Sequence, residues 1–502
     1  MKIIASLIIL GLCASVCYSD VTTTSQASAM STSWLNNTAT KVYSAANETD
    51  AAIWNQNAQA SPPSPATGVG ESDVIFGPGT SNDTAYVYGI LTDSSKLSKI
   101  YKRTLNATIV SWGNDTNMAS VVKDDTISST TPASSFVKAV GPGYLAILST
   151  GTDGTNKQVY LNLVSGTTAS EIKLTTVSDT TDACAADVTT PVTATSFTLG
   201  NIWYDIEADA FFYTYSKKVD STPCEEEGEQ GTQATTYTIY LGGHYVNGTA
   251  YWEAPGLSLA PTTDANEPKY VIGGGDNWLN AANIYVVYKD EAASPPVTYF
   301  SKASKNTTTT SAETFSSLVS DDATADATKV YKPLSVWASG NTFGIAVACA
   351  NQTDASTYNY PIWNFFNGTA TATDSGLSYT DLTTGGGAES LSGWMLTTGY
   401  TLVGGWKSST ADAEAYQIGT FFANGTANQT ASTLATVRGP VSFYSDVNGT
   451  IWVGWTDVDT DNDLTYAGYL AILQGQINEA GANNLSTVLA FIALFLVSIF
   501  AF

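Results

Sequence analysis

Arginine and histidine are what this chain most lacks. It has two arginines, Arg103 and Arg438, and one histidine, His244. With 20 Lys plus Arg against 45 Asp plus Glu, the formal net charge is −25. No basic groove can be assembled from that supply, which excludes a nucleic-acid-binding role. Two arginines are too few for the three-arginine carboxylate clamp of a sialidase. One histidine rules out zinc centres built on several imidazoles and leaves any Ser or Cys nucleophile with a single candidate base. His244 lies in the strand-like run Leu241-Gly-Gly-His-Tyr245, where a satisfied structural histidine is the ordinary outcome. A G-x-S-x-G elbow, a G-x-G-x-x-G fingerprint and a P-loop are all missing.

Cysteine is scarce too, at five in 502 residues, with no C-x-x-C and no zinc spacing. Cys13 and Cys17 fall in the N-terminal apolar leader. Cys184 and Cys224 lie in polar, loop-like sequence and are expected to close one disulfide in an oxidising compartment. Cys349 ends the apolar run from Phe343 and reads as a buried thiol. Stability must therefore come from a hydrophobic core.

The two ends of the chain carry signals. Met1-Lys2, the apolar run Ile3–Leu12 and Cys17-Tyr18-Ser19 have the layout of a secretory signal peptide over residues 1–19. Residues 488–502 are apolar to the end and have no Lys or Arg flank, and they are shorter than the roughly twenty residues of a spanning helix. With the small-residue region and spacer at 476–487, the pattern resembles that of glycolipid-anchored surface glycoproteins. The resemblance implies attachment at Asn478 or, with a shorter spacer, Gly481, and a partner in the outer membrane leaflet. A C-terminal single-pass helix is the alternative.

Asn-x-Ser/Thr occurs at Asn36, Asn47, Asn82, Asn106, Asn114, Asn247, Asn306, Asn351, Asn367, Asn424, Asn428 and Asn448. A further one, Asn484, would leave with the tail. On an exported chain these are expected to carry N-glycans on surface turns. Several are Asn-Gly pairs after strand-like runs, and that dipeptide favours tight turns whether or not sugar is added.

After a Thr/Ser/Ala-rich segment at 20–70, short apolar or aromatic runs recur. AYVYGI starts at Ala85, GYLAIL at Gly143, AFFYTY at Ala210 and NIYVVY at Asn283. FGIAVA at Phe343, YTLVGGW at Tyr400 and TIWVGW at Thr450 complete the series. Most are followed by a second run, such as QVYLNLV or TYTIYLG, as in half-buried strands joined by hairpins. The seven starts lie roughly 50 to 75 residues apart, near the length of a four-stranded propeller blade with long loops. Residues 71–475 are thus expected to form an all-β body, a single β-propeller of about seven blades, with 20–70 contributing a closing strand. Tandem β-sandwich domains are the alternative. The stretch Ser445–Trp455 resembles the D-x-x-G-x-x-W turns of several propeller families, over one blade only.

Propellers host many chemistries, so the fold does not choose among them. Two carboxylates suffice for a glycosidase, but no pair stands out in the sequence. Asp457, Asp459, Asp461 and Asp463 alternate like the start of a calcium loop. Asn462 at the sixth position and Gly468 at the twelfth depart from an EF-hand, leaving a weak calcium site or a solvated hairpin loop. No cofactor is required. The expected function is that of a lipid-anchored, N-glycosylated coat component or a binding module for glycans or surface proteins, with self-association open to it. The alternative is a two-carboxylate glycoside hydrolase on the same scaffold.

Overall fold

The structure is a computed structural model that describes strands between Thr40 and Leu473, with side chains mainly from 136 to 305 and at Ile75, Tyr88, Pro333 and Val336. The described residues are all β, in seven antiparallel sheets of four strands each. Strand β1 (Thr40–Ser44) stands apart from its neighbours in sequence. The first sheet follows, with β2 (Val74–Pro78), β3 (Thr84–Asp93), β4 (Lys96–Asn106) and β5 (Ala119–Ser120). The second has β6 (Phe136–Gly141), β7 (Tyr144–Asp153), β8 (Asn156–Ser165) and β9 (Thr168–Ser178). The third has β10 (Val192–Asp205), β11 (Ala210–Thr222), β12 (Ala234–Tyr245) and β13 (Leu257–Leu259). The fourth has β14 (Pro268–Gly274), β15 (Asn283–Asp290), β16 (Val297–Ser304) and β17 (Ser316–Ser320).

In the fifth sheet β18 (Val330–Ser339) pairs β19 (Thr342–Asn351), and β20 (Asp354–Asn359) and β21 (Ile362–Phe365) both pair β19. The sixth has β22 (Ala388–Met395), β23 (Tyr400–Lys407), β24 (Ala415–Phe422) and β25 (Ser432–Ala435). The seventh is built from β26 (Val437–Ser445), β27 (Ile451–Val458) and β28 (Tyr466–Leu473), and its fourth strand is β1. There Lys41 pairs with Tyr469 and Thr40 with Leu470. First strands of successive sheets are neighbours: β2 with β6, β6 with β10, β10 with β14, β14 with β18, β18 with β22, and β22 with β26. Strand β2 also meets β26 and β27.

The second strands of the third and fourth sheets carry the longest buried runs of those sheets. In β11 every residue from Ala210 to Ser216 is buried, and in β15 Ile284 to Asp290 are. A strand covered on both faces reads as a continuous apolar run, whereas one-sided burial gives alternation. Successive side chains of β11 point to opposite faces. Phe212 joins a cluster with Trp252, Val271, Ile284, Val286 and Tyr288, reaching from the third sheet into the fourth. Phe211 instead packs on Tyr204, with ring centroids 5.2 Å apart. Each such fully buried aromatic contributes about 2–3 kcal/mol of transfer free energy.

A polar clasp fixes how β10 meets β14. The register of β10 slips between Leu199 and Ile202, a bulge that holds Gly200 and Asn201. A Cβ on Gly200 would collide with the Thr214 hydroxyl and the Val271 carbonyl, so only glycine fits. Asn201 Nδ2 donates to the Gly273 carbonyl at 2.7 Å, and its Oδ1 accepts the Gly273 N–H at 2.7 Å. The amide thus pairs with Gly273 as a neighbouring strand would. Asn201→Ala, which strips both partners from Gly273, is expected to lower unfolding free energy by about 2 kcal/mol or more. A shifted urea midpoint at unchanged slope is the readout.

Candidate functional site

The densest group of charged and aromatic side chains among the described residues lies where the third and fourth sheets meet. Strand β10 ends Ile202-Trp203-Tyr204-Asp205, and a turn carrying Glu207 and Asp209 leads into β11. The Trp203 ring lies over Gly273, where a Cβ would come within 2.5 Å of it. That close approach is what the absent side chain permits. Asp205 is fully buried; its Oδ1 accepts the Ala208 N–H at 2.9 Å, and its Oδ2 lies 2.6 Å from Lys305 Nζ. Lys305 follows β16, is 7 % exposed, and reaches Glu207 Oε2 at 3.4 Å. The Tyr251 hydroxyl donates to the Lys305 carbonyl at 3.0 Å. Burial, and then the charges of Tyr245, Asp205 and Glu207, raise Tyr251 above the usual phenol range, so it stays a donor.

This group can bind charge, but its parts are largely committed to one another. With Lys305 Nζ 2.6 Å from one carboxylate and 3.4 Å from the other, the Asp205 and Glu207 oxygens are at most 6.0 Å apart. Glycosidase carboxylate pairs stand about 5 to 9.5 Å apart, so this bound admits at most the closest part of that range. The ammonium between them instead makes an ion triad, joining the turn after β10 to the end of β16. Asp205 is closed to solvent, while Glu207 keeps 43 % of its side chain exposed. Among the described residues no cluster of His, Cys, Asp or Glu is arranged to hold a metal ion.

His244 sits near the end of β12, 3 % exposed, with Nδ1 3.1 Å from the Tyr213 hydroxyl. Burial, then the nearby Tyr215, pushes Tyr213 well above its ordinary value, so its hydroxyl stays protonated and shares a hydrogen bond with the neutral ring, whose tautomer sets the direction. Burial lowers His244 to about 4. The ring is locked between Tyr213 and the sheet and serves packing.

At the other end of β14, Tyr270 is 37 % exposed and has a φ of +53°. For a bulky aromatic this conformation costs about 1–3 kcal/mol. It falls in a register slip between Lys269 and Ile272, and Lys269 beside it pairs with Glu291 at 2.7 Å. Bulges of this kind re-aim a side chain.

Of the sequence-derived site residues, Asn247 is the one described with its side chain. It is exposed in the turn after β12, its Oδ1 accepts the Thr249 N–H at 2.9 Å, and Gly248 beside it takes a φ of +87°. Asn106 and Asn351 are the last residues of β4 and β19, and Cys349 lies within β19. Asp457 lies within β27, paired with Val437 and Ala467. Asp459, Asp461 and Asp463, Cys184 and Cys224, Asn478, Gly481, the apolar tail and the remaining sequons lie outside the described residues. No helix among the described residues is long and apolar enough to cross a membrane. Sequence reasoning passed over Asp205, Glu207 and Lys305. Their only local signal is the alternation Asp205-Ile-Glu207-Ala-Asp209, and Lys305 arrives from almost a hundred residues away.

The His244 pocket has a pH signature. Its folded value is depressed to about 4 from 6.5, so between those values the unfolded chain binds a proton that the folded chain does not. Stability is therefore full above about pH 6.5 and falls as pH drops toward 4, by up to about 3 kcal/mol. Tyr213→Phe should keep this slope, and adding His244→Phe should remove its share, as read by urea unfolding from pH 4 to 7.

No protein-family model and no curated protein matches the chain. Among solved structures it is similar to prolyl oligopeptidase B from Galerina marginata, at 11 % identity over 81 % of this chain and 50 % of that one, with a TM-score of 0.38. It is also similar to a neuraminidase-like protein of A/little yellow-shouldered bat/Guatemala, at 9 % identity over 81 % and 95 %, TM-score 0.34. A third is an α-L-arabinanase of Penicillium chrysogenum, at 10 % identity over 71 % and 99 %, TM-score 0.32. Likenesses this distant do not bear on chemistry, and this chain spans half the length of the oligopeptidase.

Proposed function

We propose that this chain is an exported, N-glycosylated surface protein whose body is one seven-bladed β-propeller acting as a binding platform, held to the outer leaflet by a lipid anchor. The observation that carries the reading is the order of the sheets. Seven sheets of one design follow each other along the chain, and their first strands neighbour in a cycle that returns to β2. Tandem sandwiches would pair sheets two by two, which an odd number does not allow. Pairing of β1 with β28 supports closure, since it completes the last sheet from both ends of the chain. Closure by such a shared sheet leaves only short, protected edges. The committed state of His244 and of the Asp205–Lys305–Glu207 triad favours binding over catalysis.

Closure is tested by cysteines at a registered pair. Lys41→Cys with Tyr469→Cys should form a disulfide under mild oxidation, seen as a cross-linked peptide in the mass spectrum. Its absence would count against the ring. The anchor is tested on intact cells: phosphatidylinositol-specific phospholipase should release the protein, and retention alongside released controls would count against it.

A second reading is favoured by one observation, the approach of the Asp205 and Glu207 carboxylates. It is a two-carboxylate glycoside hydrolase, the class named for several structural neighbours: an arabinanase, two arabinofuranosidases and a fructofuranosidase. With TM-scores of 0.24 to 0.32 those names add no argument. Arabino- and fructo-oligosaccharides separate the two readings. A platform protein yields no new reducing ends, and Glu207→Gln changes nothing. A hydrolase yields them, and Glu207→Gln lowers the rate by a factor of about a hundred or more.

A further inference from the structure

The turn that holds Asn247 begins with an exposed aromatic. The Gly248 N–H donates to the Tyr245 carbonyl at 2.8 Å, and the Tyr245 N–H donates to the Thr249 carbonyl at 2.9 Å. With Gly248 at a φ of +87°, this is the three-residue hairpin loop in which a turn is followed by a left-handed residue. His244 bridges Ala250 just inside it. Because Asn247 Oδ1 takes the Thr249 N–H, Nδ2 is the polar atom that remains, and Nδ2 is the atom that receives a sugar. A β-turn brings its first and fourth Cα atoms within about 7 Å, and Asn247 is the third residue of this one.

Tyr245 is 37 % exposed, yet its ring is held in place. It packs on Tyr251 with centroids 5.1 Å apart, and Tyr251 meets Phe212 and Trp252 edge-on. Phe212 and Trp252 belong to the core cluster that joins the third and fourth sheets. Tyr245 is thus the outermost ring of a stack founded in the core. The pairing of ring and sequon also recurs along the chain. An aromatic stands two residues ahead of five of the twelve sequons before the tail: Trp34, Trp112, Tyr245, Phe365 and Phe422. At the chain's 11 % aromatic content about one such pair is expected. Tyr245, Phe365 and Phe422 are the last residues of β12, β21 and β24, and after one intervening residue each is followed by Asn-Gly-Thr.

We propose that Tyr245 is the seat of the sugar on Asn247: the first N-acetylglucosamine lays the C–H face of its ring against the exposed side of the phenol ring. The inference rests on the reading of the chain as an exported glycoprotein. Attachment joins Nδ2 to C1 of the sugar. The bond from C1 to a lipid diphosphate breaks, the diphosphate leaves with the electron pair, and Nδ2 loses one proton. A pyranose presents C–H groups on its face and hydroxyls at its rim, which suits a side chain with an apolar body and a wet end. Ring and sugar are tethered two residues apart, so their contact is intramolecular and costs little further freedom. The contact forms only when the turn is closed, and the sugar therefore favours the closed turn.

The test uses the full secreted glycoprotein, with Tyr270 as internal control because it is equally exposed and has no sequon two residues on. Glycopeptide mapping should find sugar on Asn247. Nitration of Tyr245 by tetranitromethane should run about threefold faster or more in Asn247→Gln, which takes no sugar, while nitration of Tyr270 is unchanged. Trimming by an endoglycosidase to a single sugar should leave Tyr245 as shielded as before, since the first sugar makes the contact. Hydrogen exchange at the Tyr245 and Gly248 amides should be about two- to tenfold slower with the sugar than in Asn247→Gln, the scale of one aromatic contact. Tyr245→Trp should keep that slowing, and Tyr245→Leu, which is apolar but has no ring, should abolish it. Sugar at other sequons with Asn247 bare, loss of shielding on trimming, or slowing that survives Tyr245→Leu would overturn the inference alone. A chain with no sugar at any sequon would overturn the glycoprotein reading together with it.

Discussion

The contact between neighbouring sheets rests on an amide that stands in for a strand. Sheets packed by their first strands share no ladder of backbone hydrogen bonds, so the N–H and C=O of Gly273 would be buried without partners. Asn201 supplies both at 2.7 Å. The bulge that turns Asn201 toward β14 also brings Gly200 against Thr214, and the missing side chain of Gly273 lets Trp203 lie flat across the seam. The Asp205–Lys305 pair then continues the seam to its end. Remove the amide, and the aromatic and ionic contacts lose the alignment that makes them fit.

The charged groups where the third and fourth sheets meet are committed to holding those sheets together. Lys305 is almost wholly buried, and a buried ammonium is tolerable only when its partners are close and hydrogen-bonded. Asp205 meets that need by pairing with Lys305 and accepting a backbone N–H. The sole histidine is likewise spent on a tyrosine hydroxyl. Such groups define position well.

The sequence shows the middle of each sheet and hides its margins. All seven apolar runs found from sequence alone, beginning with AYVYGI and ending with TIWVGW, lie on second strands; the runs QVYLNLV, TYTIYLG and YQIGTFF lie on third strands. Those strands have neighbours on both sides, and in β7, β8, β11 and β15, where side chains are described, long runs bury both faces, so burial writes itself into residue type. First and fourth strands such as VTATSFTLGN, TASEIKLTTVS and STLA are margins, where one side or one face meets water or another sheet, and their apolar signal is diluted by Thr and Ser. The count of seven was legible for the same reason. The ion triad was not, because Lys305 and Asp205 meet only through the packing of two sheets. Tyr270 was also hidden, since its distinction is a backbone angle.

Pairing β1 with β28 sets a timetable for the chain's manufacture. Thr40 waits for Leu470, 430 positions downstream, before it has a partner. At typical ribosomal speeds of about 5–20 residues per second, that is roughly 20 to 90 s with a solitary strand trailing outside the nascent body. At five residues it is a short bait for stray strands, and Lys41 within it is the kind of residue that discourages them. Assembly of the seventh sheet is thus the last event, and a chain released before β28 emerges would leave both its own edge and that of β27 open.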